Sequence, residues 1–385
     1  MIRVLWLILA LAAGWLLYIF ATERINAAEA PGLRGSAGVV SASADALGGP
    51  PKERLDVLAR GINITNWFRF PARIDGKSLR SYMSDRAIDD LKRAGFTFVR
   101  LPIQPELLQA QDILPALQDG IRRLQRRGFG VIVVPHSVAW RLEHEEADRR
   151  ALIRAWHELA VVLRQTDPRL TFPQIVNEPV FARDARRWAE LQREVLAVIR
   201  AELPANTVVL TGNDWGSVDG LLALDPVPDR NVVYSFHFYE PAELTSLAAY
   251  MPGLDRAALG RLPFPVDEQS CKLDDTDSRT AAIAAFYCSQ HWDAARLEAP
   301  LAQAAEWGRR NHVTVLMDEF GASRALNGPA RLAWLSAVRR ASEREQTGWA
   351  LWGYDDVMGF DVPRPPGLNP SLDPATLQAL GLSRP

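Results

Sequence analysis

Eight stretches that read as β-strands alternate with amphipathic helical stretches along this chain, and that alternation restricts the fold more than any other feature. The strand candidates are Val57–Thr65, Phe96–Pro102, Gly130–Pro135, Thr171–Asn177, Thr207–Thr211, Asn231–Tyr239, His312–Glu319 and Gly348–Gly353. Between them, Asp85–Ala94, Leu114–Arg127, Ala147–Arg164, Asp184–Glu202, Asp293–Arg310 and Pro329–Arg344 carry helical spacing, with Trp188 and Leu191 on one apolar side of the fourth. Strands that alternate with helices call for a parallel sheet. Eight such units in 385 residues predict an α/β fold of one kind, a single (β/α)8 TIM barrel. A doubly wound open sheet is the rival, but no Gly-rich phosphate turn follows the first strand.

A barrel makes the polar residues at the strand C-termini suspects, because that face carries the active site. In chain order they are Asn63 and Asn66, Arg100, His136, Asn177 with Glu178, Asn213 with Trp215, His237 with Tyr239, Glu319, and Trp352. Random surface polarity would not place such groups at every strand exit. Two exits deliver carboxylates, in Phe172-Pro173-Gln174-Ile175-Val176-Asn177-Glu178-Pro179 and in Val313-Thr314-Val315-Leu316-Met317-Asp318-Glu319-Phe320-Gly321. Each apolar run ends in a Glu and is stopped at once by Pro or within two residues by Gly. Two glutamates on the rim of one rigid sheet suit glycosidic cleavage, in which one protonates the leaving oxygen and the other attacks the sugar carbon or activates a water. Asp318 is expected on the opposite side of its strand from Glu319 and is read as structural. Trp67, Phe68, Phe70 and Trp215 lie on rim loops, where each can stack a sugar or cover the barrel top.

Charge narrows the partners. The net charge is −2 and the basic residues are scattered, with Lys only at 52, 77, 92 and 272, so nothing favours a nucleic acid. At the N-terminus Arg3 precedes an unbroken apolar run over 4–21, poised between a secretory signal and a membrane anchor; Ala28-Glu29-Ala30 offers a cleavage site. Residues 1–30 are therefore expected to be a signal peptide or a signal anchor, and 31–51, rich in Gly, Ser, Ala and Pro, a flexible linker. The catalytic domain is expected over 52–385. Either reading of the first segment predicts an exported protein, periplasmic or secreted, held in the inner membrane by residues 4–21 if they stay uncleaved. The long stretch Glu240–Trp292 reads as an insertion that shapes the cleft, and it holds both cysteines, Cys271 and Cys288. One local disulfide is expected in an exported chain, with two free thiols as the alternative.

The strand exits also carry a resemblance. Phe98-Val99-Arg100-Leu101-Pro102, Val133-Val134-Pro135-His136, Val176-Asn177-Glu178-Pro179, His237-Phe238-Tyr239, Asp318-Glu319-Phe320-Gly321 and Trp349-Ala350-Leu351-Trp352 occur in order, one per strand, and the chain resembles glycoside hydrolase family 5 from about Ala59 to Phe360. That resemblance implies a retaining double displacement on a β-linked glycan with no metal and no cofactor. It also implies Glu178 as acid/base and Glu319 as nucleophile. By the same likeness Tyr239 donates to the nucleophile, Asn177 holds the sugar 2-hydroxyl, His136 and His237 bind hydroxyls or position the carboxylates, and Trp352, followed by a cis peptide, is the sugar platform. Chemistry adds that Arg100 is the natural cation to keep Glu319 ionised, while Glu178 needs burial and a negative neighbour to hold its proton. The expected activity is an endo-β-glucanase of the cellulase type, acting on an extracellular or cell-wall polysaccharide. An endo-β-mannanase or another β-glycanase of the same clan is the alternative. A non-catalytic glycan-binding component of a polysaccharide secretion system is the alternative of another class.

Overall fold

Eight parallel strands form the wall of the molecule: β1 Arg60–Asn63, β2 Phe98–Ile103, β3 Gly130–Pro135, β4 Thr171–Pro173, β5 Val208–Thr211, β6 Val232–Phe238, β7 Thr314–Phe320 and β8 Gly348–Trp352. A computed structural model describes residues 49–267, 269–363, 366 and 371–385. The expected signal or anchor over 1–30, and the expected linker over 31–51 except its last three residues, lie outside the described residues. Among the described residues, no helix is long and apolar enough to cross a membrane.

The strand order is β4-β3-β2-β1-β8-β7-β6-β5, and a parallel bridge between Gln174 and Val209 joins β4 to β5 and closes the ring. This is the expected (β/α)8 barrel, and all eight strand candidates are strands. The six helical candidates are also helices, ending within two residues of the expected limits. One is Asp85–Ala94, which buries Ile88, Leu91 and Ala94 at helical spacing. Ser84 caps its first turn by accepting from the Ala87 N–H, and Gly95, at φ 109°, ends it in a conformation that only glycine adopts readily. At the other end of the domain, residues 52–57 form a helix before β1 rather than the start of the strand. Within the insertion, Cys271 and Cys288 form a disulfide that ties a loop to the helix Ser278–Ser289.

Side chains alternate along each strand, so the barrel interior is built in layers two residues apart. The lower layer is apolar: Phe98, Ile132, Phe172, Val209, Val233, Leu316 and Ala350, with Leu58 beneath. Two residues further along the same strands stand Arg100, Val134, Gln174, Thr211, Ser235, Asp318 and Trp352, joined by Asn63 from β1. Six of these are polar or charged with no measurable exposure: Asn63, Arg100, Gln174, Thr211, Ser235 and Asp318. The cleft therefore stands on a buried polar floor, and that floor on an apolar plug.

Gly61 makes room for the plug. A Cβ there would lie 2.2 Å from Phe98 Cζ, so the ring fills the space a side chain would take. Gly61→Ala is expected to force the ring aside and to lower stability by about 1–3 kcal/mol, read as a reduced urea midpoint at unchanged slope. An unchanged midpoint would mean that the plug tolerates extra volume.

Candidate active site

Arg100 is the hub of the cleft. It rises from β2 into the barrel and spends every guanidinium nitrogen on an ordered partner. Nε donates to Gln174 Oε1 at 2.7 Å and lies 3.1 Å from Asp318 Oδ2. Nη1 donates to Asn63 Oδ1 at 2.9 Å and to Glu319 Oε1 at 2.5 Å, and Nη2 donates to Asn177 Oδ1 at 2.7 Å. A buried guanidinium without such partners would be strongly unfavourable, so these contacts are the condition for its being there.

Glu319 reaches the cleft through an irregularity in β7. Phe236 pairs with Met317 and His237 with Glu319, which leaves Asp318 as an extra residue in the register. Strict alternation would send Asp318 and Glu319 to opposite sides. The bulge instead lets both carboxylates face the same guanidinium, so the expectation that Asp318 points away is corrected. Asp318 is structural in another sense, since it accepts from Gln174 Nε2 at 2.7 Å inside the barrel. Gln174 also donates to Thr211 Oγ1 and Ser235 Oγ, both at 3.1 Å. Sequence reading passed over Gln174, although an amide two residues after the plug residue Phe172 is the period-two signal that marks it.

Tyr239 O–H donates to Glu319 Oε2 at 2.8 Å. Burial and the charges of Glu319 and Glu178 push the tyrosine well above its ordinary value, so it stays a donor. The Glu319 carboxyl itself is raised, first by burial and then by Glu178 and Asp318, while His237 and Arg100 pull it down. Arg100 thus offsets desolvation rather than producing the net depression expected from sequence.

Glu178 stands across the cleft on the loop after β4, at φ 42°, a left-handed backbone that a residue before proline rarely adopts. Its side chain is 32% exposed against 3% for Glu319, so the deep burial expected for it is not found. Its partner is His237, with Nδ1 3.0 Å from Glu178 Oε1. The same imidazole lies 3.4 Å from Glu319 Oε2, and its Nε2 lies 3.5 Å from Asp318 Oδ1. Burial alone would lower His237, but the three carboxylates outweigh it and the net shift is upward. His136 moves the other way, well below its ordinary value, through burial and the cations Arg69 and Arg100. Asn177 gives its oxygen to Arg100, so its amide N–H faces His136 Nε2 at 3.3 Å and the neutral ring accepts there.

Glu178, His237 and Glu319 each offer a ligand atom, all within 4.8 Å of one another. A cation at that point would compete with Arg100 for Glu319. Trp352 closes the site at the end of β8, with its ring centroid 6.0 Å from that of His136 and a cis bond to Gly353. Trp215 is 56% exposed, and its backbone N–H donates to the Pro179 carbonyl at 3.2 Å, beside the Glu178 loop. Trp67 is corrected: it is fully buried, stacks on Phe68 and Tyr82, and donates its indole N–H to the Leu79 carbonyl. No face of it is left for a sugar. Phe68 is buried as well, whereas Phe70 is 47% exposed. Asn66 and Asn213 serve the loops, the first donating to the Asp355 carbonyl and the second clasping the Phe181 backbone. A cavity of about 280 Å³ opens beside Glu178, with Ser137, Trp140, His144 and Asn177 among its walls.

A closed parallel barrel with two carboxylates, two histidines, a tyrosine and an arginine at its C-terminal mouth belongs to the class of barrel glycosidases. Residues 58–355 match the family model described as cellulase (glycosyl hydrolase family 5), and the chain belongs to that family. It is 23% identical over 335 residues to Endoglucanase 3 of Fibrobacter succinogenes, covering 79% of this chain and 50% of that one, so it spans about half that relative's length. Endoglucanase C of Acetivibrio thermocellus is 21% identical, with 78% of this chain and 92% of that one covered. Among solved structures, endoglucanase Cel5A from Thermotoga maritima superposes with a TM-score of 0.69 at 24% identity, covering 86% of this chain and 99% of that one. The cellulose synthase subunit Z from Clostridioides difficile gives 0.67 at 21% identity, with 84% and 99% covered.

The His237 shift has a consequence for stability. A histidine that holds its proton more tightly when folded stabilises the fold fully below its unfolded value of about 6.5 and loses that contribution as pH rises through the higher folded value. The loss of urea stability caused by His237→Gln should therefore be larger at about pH 6 than at about pH 9. A loss that grows with pH would contradict the direction of the shift.

Proposed function

We propose that the chain is a retaining endo-β-glucanase in which Glu319 is the nucleophile and Glu178 the general acid/base. The observation that carries the reading is the approach of the two glutamates, whose facing oxygens lie within 4.8 Å. Retaining enzymes hold their carboxyls about 5–5.5 Å apart, and inverting enzymes about 6.5–9.5 Å apart to admit a water. The hydrogen bonds divide the roles. Arg100 and Tyr239 both donate to Glu319 and favour its charged form, whereas among the described residues Glu178 is bonded to His237 and stands more open to solvent and to a leaving group.

In the first step a Glu319 oxygen bonds to the anomeric carbon while Glu178 gives its proton to the departing glycosidic oxygen. The C–O bond breaks and a glycosyl ester forms on Glu319. In the second step Glu178 takes a proton from water, the water oxygen bonds to the same carbon, and the Glu319 carboxylate leaves. The Asn177 amide N–H, oriented by Arg100, is the donor for the sugar 2-hydroxyl. Trp352 supports the sugar being cleaved, and the cavity with Trp140 beside Glu178 suits the leaving sugar. The glucan reading draws on the relatives named endoglucanases. The Thermotoga maritima Cel5A has structures with cellobiose and with mannotriose, so a mannan remains the second substrate to try. The donors to Glu319 and the His237 contact of Glu178 weigh against a protein that only binds glycan. The disulfide and the apolar run over 4–21 support export, either secreted or held in the inner membrane. A cell-fractionation blot for the chain tests that part; cytoplasmic recovery with reduced cysteines would remove it.

Glu319→Gln is expected to lose nearly all activity on every substrate. Glu178→Ala should keep the first step on an aryl β-glycoside with an acidic phenol and should accumulate the ester. Azide should then restore turnover and yield the β-glycosyl azide, because two inversions at one carbon give retention. Recovery of the α-azide would mean direct attack with no ester on Glu319 and would refute the assignment. For the substrate itself, products from a panel of soluble β-glucans and β-mannans, read by mass, are expected to show internal cleavage of glucan. Cleavage of mannan alone would overturn the glucanase reading.

A further inference from the structure

Among the described residues, Arg69 is a cation at the cleft that the proposed chemistry does not use. Its placement is firm. Trp67 and Phe68 before it are fully buried, Phe68 bridges in parallel to Ile103 at the end of β2, and the Phe68 carbonyl accepts from Gln104 at 3.1 Å. The residue that follows these anchors is half-buried at the barrel mouth. Its guanidinium carbon lies 4.5 Å from the Phe70 ring centroid and 5.6 Å from that of Trp352, the proposed sugar platform. It makes no hydrogen bond or ion pair to any described residue, and its Nε is buried without a partner. Arg100, by contrast, has every nitrogen engaged.

A partly desolvated guanidinium with free donors is costly unless something answers it. Glu319, Glu178 and Asp356 are near enough to feel its charge, but the short contacts of the two glutamates go to His237, Arg100 and Tyr239. The aromatic faces of Phe70 and Trp352 hold the fork in place and leave its N–H edge for a ligand, as stacked arginines do in anion recognition. A neutral glucan presents only hydroxyls there. A carboxylate on the sugar matches the fork in charge and in geometry.

Resting on the glucanase reading, we propose that Arg69 is a specificity-determining residue that recognises an acidic substituent on the sugar lying over Trp352, so that the preferred substrate is an anionic β-glucan. No covalent step is added; the carboxylate oxygens accept from the guanidinium N–H groups.

The test compares carboxymethyl-substituted with hydroxyethyl-substituted β-1,4-glucan at matched substitution, polymers that differ in the charge of the side group. The unaltered enzyme should show the higher kcat/KM on the carboxymethyl polymer, and the preference should shrink as salt is added. In Arg69→Met, which keeps the aliphatic bulk, the ratio of the two kcat/KM values should fall about tenfold, mainly through KM, the size expected for one charge-assisted hydrogen bond. Arg69→Lys should retain part of the ratio. Equal losses on both polymers would overturn the inference, because Arg69 would then act on the glucan or on the glutamates whatever the substituent. Affinity electrophoresis of Glu319→Gln and Glu319→Gln/Arg69→Met in gels of each polymer reads the same ratio without turnover. If neither polymer is cleaved by the unaltered enzyme, the glucanase reading fails. The electrophoretic ratio still decides Arg69: a charge-dependent difference between the two proteins supports the inference, and none overturns it.

Discussion

The buried guanidinium of Arg100 holds the working end of this barrel together. Arg100 has no measurable exposure, and its side chain touches β1 through Asn63, the strand and loop after Phe172 through Gln174 and Asn177, and β7 through Asp318 and Glu319. Removing one partner from a buried ion pair costs about 3–5 kcal/mol, chiefly because the other charge is left without compensation. Here two carboxylates would be left. The positions of Asn177 and Glu319 are therefore properties of the folded barrel rather than adjustments made when a substrate arrives, and such preorganisation is what electrostatic catalysis requires.

The layers beneath Arg100 explain why the charge is tolerated. Side chains on alternate residues form an apolar plug from Phe98 to Ala350 and a polar tier above it, in which Gln174 uses its oxygen for Arg100 and its nitrogen for Asp318, Thr211 and Ser235. A polar tier of this kind is stable only when its members satisfy one another. The electrostatic gradient runs upward from it. His136 is driven toward the neutral form by burial and the two arginines, and His237 toward the charged form by three carboxylates. Two residues of one type are thus shifted in opposite directions in one cleft, His136 beside Asn177 downward and His237 beside Glu178 upward.

Much of this was legible in the sequence, and the parts that were not share a cause. Strand exits such as Asn177-Glu178-Pro179 and His237-Phe238-Tyr239 could be read because apolar runs and breakers mark them locally. The six motifs in order gave the family, and the structure brings Arg100, Asn177, His237, Tyr239 and both glutamates within hydrogen-bonding contact of one another or of a shared partner. Trp67 was misread as a possible platform because an aromatic on a rim loop looks the same whether it faces solvent or pins the loop, as it does through Leu79. Arg69 escaped notice because one arginine among many has no local signature. That its buried Nε has no partner among the described residues is visible only in the packed structure. The orientation of Asp318 was misjudged because alternation is a rule about regular strands, and a bulge depends on the neighbouring strand.

That bulge makes chain length a variable in the chemistry. β6 and β7 each run seven residues, yet they fall out of step at Asp318, and everything after it is turned by one position. Were β7 regular through Asp318, alternation would keep Asp318 inside the barrel and turn the Glu319 side chain toward the helices. The Glu319 carboxylate is addressed by counting along the backbone as much as by its own identity. A redesign that kept every functional side chain but smoothed this strand would leave the glutamate in place in the sequence and absent from the cleft.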